Sequence, residues 1–337
     1  MVDKTGVVFP APRRVELETS EIDDHIADED VLIEARYSLF SVGTELTVLS
    51  GAAPADSAWS SYGTFPFRPG TASVGEIVEV GSAVDAGWVG RRVATPTPHE
   101  SHTITPLGMV RPVPEGVDDA DATFFVFAEI ALNALRRANA VVGESAVVVG
   151  LGLIGQLLVR VLDVAGARPI FAVDIDERRL GALPAASSSI VAVDAGRDDA
   201  TDVIRADTRG RMTDMVFEAT GNPDVIPGEV GFLRSQGRLI VVSSPRGEGT
   251  LFNFHDLCNW TSTSIIGAHI MSHPETESPD NPWTRLRHSE LFFDMLAAGA
   301  VSVSELILGR FGVDEAPRRY LELLEDRGTT IGSLIEW

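Results

Sequence analysis

Three glycines at fixed spacing, Gly150, Gly152 and Gly155 in Ser145-Ala-Val-Val-Val-Gly-Leu-Gly-Leu-Ile-Gly155, are the residues of this 337-residue chain that point most directly to chemistry. An apolar run that enters G-x-G-x-x-G and leaves as a helix is how a first βα turn meets the pyrophosphate of a dinucleotide. Each glycine has a task there. Gly150 makes the tight turn, Gly152 lets backbone N–H groups approach phosphate, and Gly155 lets the helix close on the sheet. The context agrees on both sides: a valine-rich strand precedes the turn, and apolar residues at helical spacing run from Gln156 to Ala165 after it.

A second strand, Pro169 to Asp174, ends in a carboxylate nineteen residues past Gly155, near the roughly twenty expected of a ribose ligand. Asp174 is therefore expected to accept from the adenosine 2′-OH and to repel a 2′-phosphate, which favours NAD over NADP. Arg178 and Arg179 follow it, and they read either as partners of a 2′-phosphate or as a solvated helix face.

The elements that must position these residues follow from the pattern around them. From Val7 to about Asp118, short strands between Gly/Pro turns (Val31 to Tyr37, Ser73 to Val80, Arg92 to Thr95) predict a β-rich lobe. A helix carrying Ala131, Leu132, Ala134, Leu135 and Ala138 then leads into the glycine turn. Strands recur with helical spacers at Val147 to Val149, Ile170 to Val173, Ile190 to Val193, Met215 to Glu218, Leu239 to Val242 and Ser264 to Gly267, which predicts an α/β fold with a doubly wound parallel sheet. Helices near Ser289 to Ala298 and Ala316 to Asp326 and a last strand, Ser333 to Trp337, read as a tail that returns to the first lobe.

Composition bounds the function. With 44% hydrophobic and 23% charged residues the chain reads as globular, and no window approaches a membrane span or a signal peptide, so a cytoplasmic location is expected. A net charge of −22 leaves no basic field with which to displace the counterions of nucleic acid. The single cysteine, Cys258, excludes both an internal disulfide and a four-cysteine zinc lobe. Partners are thus expected to be small molecules, with no nucleic acid and no membrane.

Several segments resemble the medium-chain dehydrogenase/reductase superfamily. Phe65 to Gly81 is similar to its P-G-H-E-x-x-G-x-V-x-x-V-G stretch, Glu218-Ala-Thr-Gly-Asn-Pro223 to its E-A-T-G-N-P turn, and Gly237 to Val242 to its G-G-R-I-V-x-V strand. The likeness covers nearly the whole chain. It implies a GroES-like catalytic domain over 1–121, a Rossmann dinucleotide-binding domain over 122–271 and a segment over 272–337 that returns to the first. Cofactor-binding candidates are then Gly150, Gly152, Leu153, Ile154, Gly155, Asp174, Thr220 and Ser243. It also implies a homodimer or homotetramer joined through the last nucleotide-domain strand, Ser264 to Gly267.

The departures from the family bear on mechanism. Zinc-dependent members have C-G-T-D where this chain has Val42-Gly-Thr-Glu45. Their His-Glu pair becomes Thr71-Ala72, and the remaining ligand position falls near Phe125 or Val126. None of these can hold zinc, which needs about three N, S or carboxylate ligands, so a zinc-independent site is expected. Ser41-Val-Gly-Thr-Glu45 resembles the S-x-G-T-E branch, which includes bacteriochlorophyllide-type and many sugar- or polyol-type enzymes.

Some other group must then polarise the substrate and handle a proton. Thr44 matches the family hydroxyl that contacts substrate oxygen or nicotinamide ribose. Glu45 reads equally as a catalytic group or as a buried partner of an arginine, and Tyr62 is the tyrosine in a loop suited to approach substrate. Glu129, in an apolar run, reads as a general acid or base of raised pKa or as a helix-start glutamate satisfied by backbone N–H groups. His269 could shuttle a proton or lie neutral at an interface. His273, Trp283 and Arg285 could shape a polar pocket, and His99, His102 and His255 read as surface or strand-end residues. The leading expectation is an NAD-dependent, zinc-independent oxidoreductase of a secondary alcohol or ketone, with a reductase of activated C=C or C=N bonds and a non-catalytic nucleotide binder as alternatives.

Overall fold

A computed structural model describes residues 3–22, 25–52, 57–249, 251–326 and 330–337. In chain order its strands are β1 (Asp3–Val8), β2 (Glu16–Glu21), β3 (Asp30–Leu39), β4 (Ser73–Val80), β5 (Arg92–Thr95), β6 (His102–Pro106), β7 (Arg111–Pro112), β8 (Ala146–Val149), β9 (Ile170–Asp174), β10 (Ile190–Asp194), β11 (Thr213–Glu218), β12 (Leu233–Val241), β13 (Ser264–Gly267), β14 (Ile307–Gly312) and β15 (Gly332–Glu336). Two units divide the chain, one of residues 1–126 and 289–337, the other of residues 127–288.

The second unit holds a parallel sheet in the order β10-β9-β8-β11-β12-β13. Its central strands are Val/Ile/Phe runs because both faces are covered, and every residue of β9 is buried. Strand order reverses between β8 and β11, the switch point at which open α/β sheets bind ligands. Helix 153–164 packs on the sheet through Leu157, Leu158, Val161 and Leu162, and begins a turn earlier than the apolar spacing after Gly155 predicts. β12 also begins earlier than predicted. It runs in from Leu233 past Gln236, whose φ of +63° marks an irregularity that alternation of side chains does not reveal. β13 ends the sheet, and nearby in the chain Leu251, Phe254, Trp260 and Met271 are exposed.

The first unit is mainly antiparallel. β3 pairs with β4, β6 and β15, and β15 pairs with β14. Its core gathers Phe9, Phe40, Leu46, Val48, Phe311, Tyr320 and Ile335. Here the sequence reading missed two features: the β1–β2 hairpin, and the helix Thr44–Ser50, whose Leu46, Val48 and Leu49 are buried in this core. No described helix is long and apolar enough to cross a membrane.

Candidate functional site

The ends of three parallel strands set the nucleotide side. β8 stops at Val149, level with Val173 of β9 and Glu218 of β11, so the turns that follow lie beside one another at the switch point. Gly150 has φ of +89°, and a Cβ on it would lie 2.9 Å from Ala219 and Thr220. A Cβ on Gly155 would lie 1.8 Å from the Gly150 carbonyl oxygen, so neither position admits a side chain. Gly152 instead borders open space, and it contributes no side-chain cap to helix 153–164. The N–H groups of that helix's first turn, including Leu153 and Ile154, lack intrahelical acceptors, and the positive end of the helix dipole lies there. A phosphate fits this set: a cradle free of Cβ atoms and uncapped donors.

Asp174 closes β9 and is almost fully buried. Its Oδ2 accepts from Leu151 N at 2.6 Å, and Oδ1 accepts from Ile175 N at 2.7 Å and Asp176 N at 2.9 Å. A carboxylate offers about four lone-pair directions, so these bonds fix the group and leave it able to accept from a sugar hydroxyl. Arg179 Nη1 lies 3.6 Å from Asp174 Oδ2, and Arg178 pairs with Asp176 at 3.0 Å. Both arginines therefore have acidic neighbours on their own side of the turn.

Thr220 and Ser243 are brought together by a residue the sequence reading quoted but did not single out. Glu218, fully buried at the end of β11, accepts through Oε1 from Thr220 N and Thr220 Oγ1, each at 2.6 Å, and from Gly221 N at 3.0 Å. Its Oε2 accepts from Ser243 Oγ. A strand-end glutamate followed at once by Ala-Thr-Gly was the available signal, since a short polar turn after a strand needs acceptors for its N–H groups.

Glu129, His273, Trp283 and Arg285 lie together with His288. Glu129 is fully buried and not at a helix start but one turn into helix 125–137. Its Oε2 accepts from Arg285 Nε at 2.7 Å, so a guanidinium meets it. His269 is exposed, its Nδ1 accepting from Met271 N at 3.3 Å. His273 donates from Nδ1 to the Ile270 carbonyl at 2.6 Å, and its Nε2 lies 2.8 Å from Nδ1 of the buried His288. Burial, then His273 and two arginines, press His288 down to about 3, so both rings are neutral near pH 7. Trp283 stacks on His288 and carries the guanidiniums of Arg136 and Arg287 at 3.4 and 4.3 Å from its centroid.

In the first unit, Thr44 opens the helix Thr44–Ser50 and is half-buried. The next residue, Glu45, is buried, and its partners do not include the arginine that one of its two readings gave it. Oε2 accepts from Tyr320 OH at 2.7 Å and Oε1 from Gly70 N at 3.1 Å, while His99 Nε2 lies 3.4 Å from Oε1. His99 is fully buried, which corrects its reading as a surface or strand-end residue. Its Nδ1 meets Ser38 Oγ at 2.8 Å, and Ser38 Oγ also accepts from Trp337 Nε1 at 2.9 Å. Tyr62 ends the short helix Ala58–Tyr62, is 55% exposed, and packs on Phe67. Desolvation, with the nearby Glu45 charge, raises its phenol above the usual tyrosine value.

The positions that the sequence resemblance aligns with zinc ligands carry Val42, Thr71, Ala72, Phe125 and Val126. None of them supplies an imidazole, thiolate or carboxylate. Among the described residues, no group of three or more His, Cys, Asp or Glu side chains could hold a metal. The donor set does not fit zinc.

Comparison with known proteins agrees with this architecture. The zinc-binding dehydrogenase family pattern matches residues 154–283. D-guloside 3-dehydrogenase of Escherichia coli strain K12 is 26% identical, the likeness covering 95% of each chain. The 2-desacetyl-2-hydroxyethyl bacteriochlorophyllide A dehydrogenase of Cereibacter sphaeroides is also 26% identical, over 96% of this chain and 95% of its own. Among solved structures, a zinc-binding dehydrogenase from Sinorhizobium meliloti 1021 bound to NADP superimposes with a TM-score of 0.82 at 17% identity, covering 100% of both chains.

Proposed function

We propose that this chain, a medium-chain dehydrogenase/reductase, exchanges hydride between NAD(H) and a secondary alcohol or ketone of a sugar or polyol, without catalytic zinc. The observation that carries this reading is the nucleotide side: a strand, a turn at Gly150 and Gly155 that admits no side chain, an uncapped helix, and the buried Asp174 at the next strand end. The sugar-type relative at 26% identity supports the substrate class, and the absence of ligating side chains at Val42, Thr71, Ala72, Phe125 and Val126 supports independence from zinc.

The dinucleotide, when bound, supplies hydride exchange at nicotinamide C4. The chain's own residues hold it: N–H groups at Gly152, Leu153, Ile154 and Gly155 meet the phosphates, Asp174 accepts from the ribose, and Thr220 and Ser243 contact the rest. Thr44 hydrogen-bonds the substrate oxygen. Tyr62, whose raised phenol stays protonated at neutral pH, donates to the same oxygen during ketone reduction. Glu129 and His269 are assigned supporting roles in proton transfer. The unpaired edge at β13, with Leu251, Phe254 and Trp260 exposed nearby in the chain, supports assembly of a homodimer or homotetramer through that strand.

The test is turnover. Purified protein should reduce NAD with sugar glycosides or polyols and keep its rate in a chelator. Thr44→Ala should lower kcat by roughly 100-fold with little change in KM. Stoichiometric zinc, or loss of activity on chelation, would overturn the metal-free reading; turnover of enones or imines alone would replace the alcohol reading. A preference for NADP over NAD, unchanged in Asp174→Ser, would remove Asp174 from the ribose.

A further inference from the structure

At the switch point the two neighbouring turns present opposite hydrogen-bonding surfaces. On the Gly150–Gly155 side, the first turn of helix 153–164 leaves N–H donors without intrahelical acceptors or a side-chain cap. Across from it, at the ends of β11 and β12, the N–H groups and hydroxyls of Thr220, Gly221 and Ser243 are consumed internally. Glu218 Oε1 takes the N–H groups of Thr220 and Gly221 and the hydroxyl proton of Thr220, while Oε2 takes the hydroxyl proton of Ser243. The Glu218 carbonyl takes Val242 N and Ser243 N, each at 3.1 Å. Thr220 Oγ1 accepts in turn from Asn222 N at 2.9 Å, which leaves it little further capacity. Ser243 Oγ, having given its proton away, retains lone pairs.

Resting on the nicotinamide reading above, we propose that Glu218 is a positioning residue. It turns the hydroxyl protons of Thr220 and Ser243 inward, so that Ser243 Oγ can only accept, and it accepts from a hydroxyl or amide N–H of the nicotinamide-riboside half of the dinucleotide. The Thr220 and Ser243 hydroxyls and the N–H groups of Thr220, Gly221 and Ser243 thus offer a phosphate no free donor, although the Arg246 guanidinium lies beside this turn, 3.4 Å from where a Cβ on Gly221 would be. One buried carboxylate thus sets the hydrogen-bonding polarity that this turn presents to the nicotinamide-riboside half. Gly150 makes the two surfaces adjacent, since a Cβ on it would lie 2.9 Å from Thr220 N.

Calorimetric titration with two ligands separates this role from a structural one. AMP carries the adenosine and one phosphate, whereas NADH carries the nicotinamide riboside as well. In Glu218→Gln, one acceptor becomes an NH2 donor and a hydroxyl proton is released, so NADH should bind roughly tenfold more weakly while AMP stays within about twofold. Glu218→Asp should recover part of the loss. Ser243→Ala should weaken NADH by about threefold and leave AMP unchanged. Equal weakening of both ligands, or unchanged NADH affinity, overturns the proposal. If Glu218→Gln does not fold, Ser243→Ala decides by the same ratio. Failure of the wild type to bind either AMP or NADH would remove the nicotinamide reading instead, which is a distinct result.

Discussion

Glu45 in the first unit and Glu229 in the second are both glutamates withdrawn from solvent, and their surroundings are opposite. Glu45 accepts from a phenol and a backbone N–H, with an imidazole 3.4 Å from it, all placed by elements far apart in sequence. Glu229, at the end of the short helix Ile226–Glu229, has no hydrogen-bond partner for either carboxyl oxygen among the described residues. Burial, reinforced by the neighbouring charge of Glu218, pushes it up to about 8. A buried acid with matched donors can hold a helix and a loop in place, whereas one without them must stay protonated. The first kind belongs to a site. The second weighs on stability as pH rises.

The largest test of this contrast is Glu229→Gln. The folded-state value lies above the ordinary 4.5, so folding favours the protonated form. Its full stability is present below about pH 4.5 and is lost as pH climbs towards 8. The variant should match the wild type near pH 4.5 and exceed it by roughly 2–4 kcal/mol at pH 8, read as a growing difference in Tm. Parallel melting curves across that range would mean that Glu229 has a partner after all. Next is Tyr320→Phe, which leaves Glu45 Oε2 buried without its donor and should cost about 1–3 kcal/mol. If kcat falls further than the lost stability explains, the Glu45 network also orients Thr44; an unchanged Tm would break the contrast from the other side.

Two smaller effects sharpen it. Glu45→Gln removes a charge that helps keep the Tyr62 phenol protonated, so the phenolate band of Tyr62, isolated by difference against Tyr62→Phe, should appear at lower pH. No movement would show that the field of Glu45 does not reach that ring. His288 is the cationic counterpart of Glu229, a buried base pressed to about 3, and its ring resonances should stay fixed between pH 5 and 8. Titration in that window would contradict the neutral pair with His273.

What could be read from the sequence follows the same divide. The glycine turn, the strand ending in Asp174 and the order of β/α alternation depend on local spacing, and the parallel strands other than the long β12 lie close to where their apolar runs predict. Glu45 could be located but not understood, because Tyr320 lies 275 positions away and His99 comes from the loop before β6. No periodicity encodes such a meeting. Glu129 stands out for its apolar surroundings, yet nothing local assigns it Arg285, 156 positions on. The helix Thr44–Ser50 is not legible in the sequence, because Val42-Gly43 breaks the pattern just before it begins, with no side-chain cap to announce it.

Trp260, 79% exposed a few residues before β13, has a consequence for measurement. An indole in water emits at long wavelength and is open to collisional quenchers such as iodide, whereas one covered by a second subunit is neither. Dilution of the native protein, followed by emission maximum and iodide quenching with Trp260→Phe as the blank, therefore turns this side chain into an optical gauge of whether the β13 edge is covered.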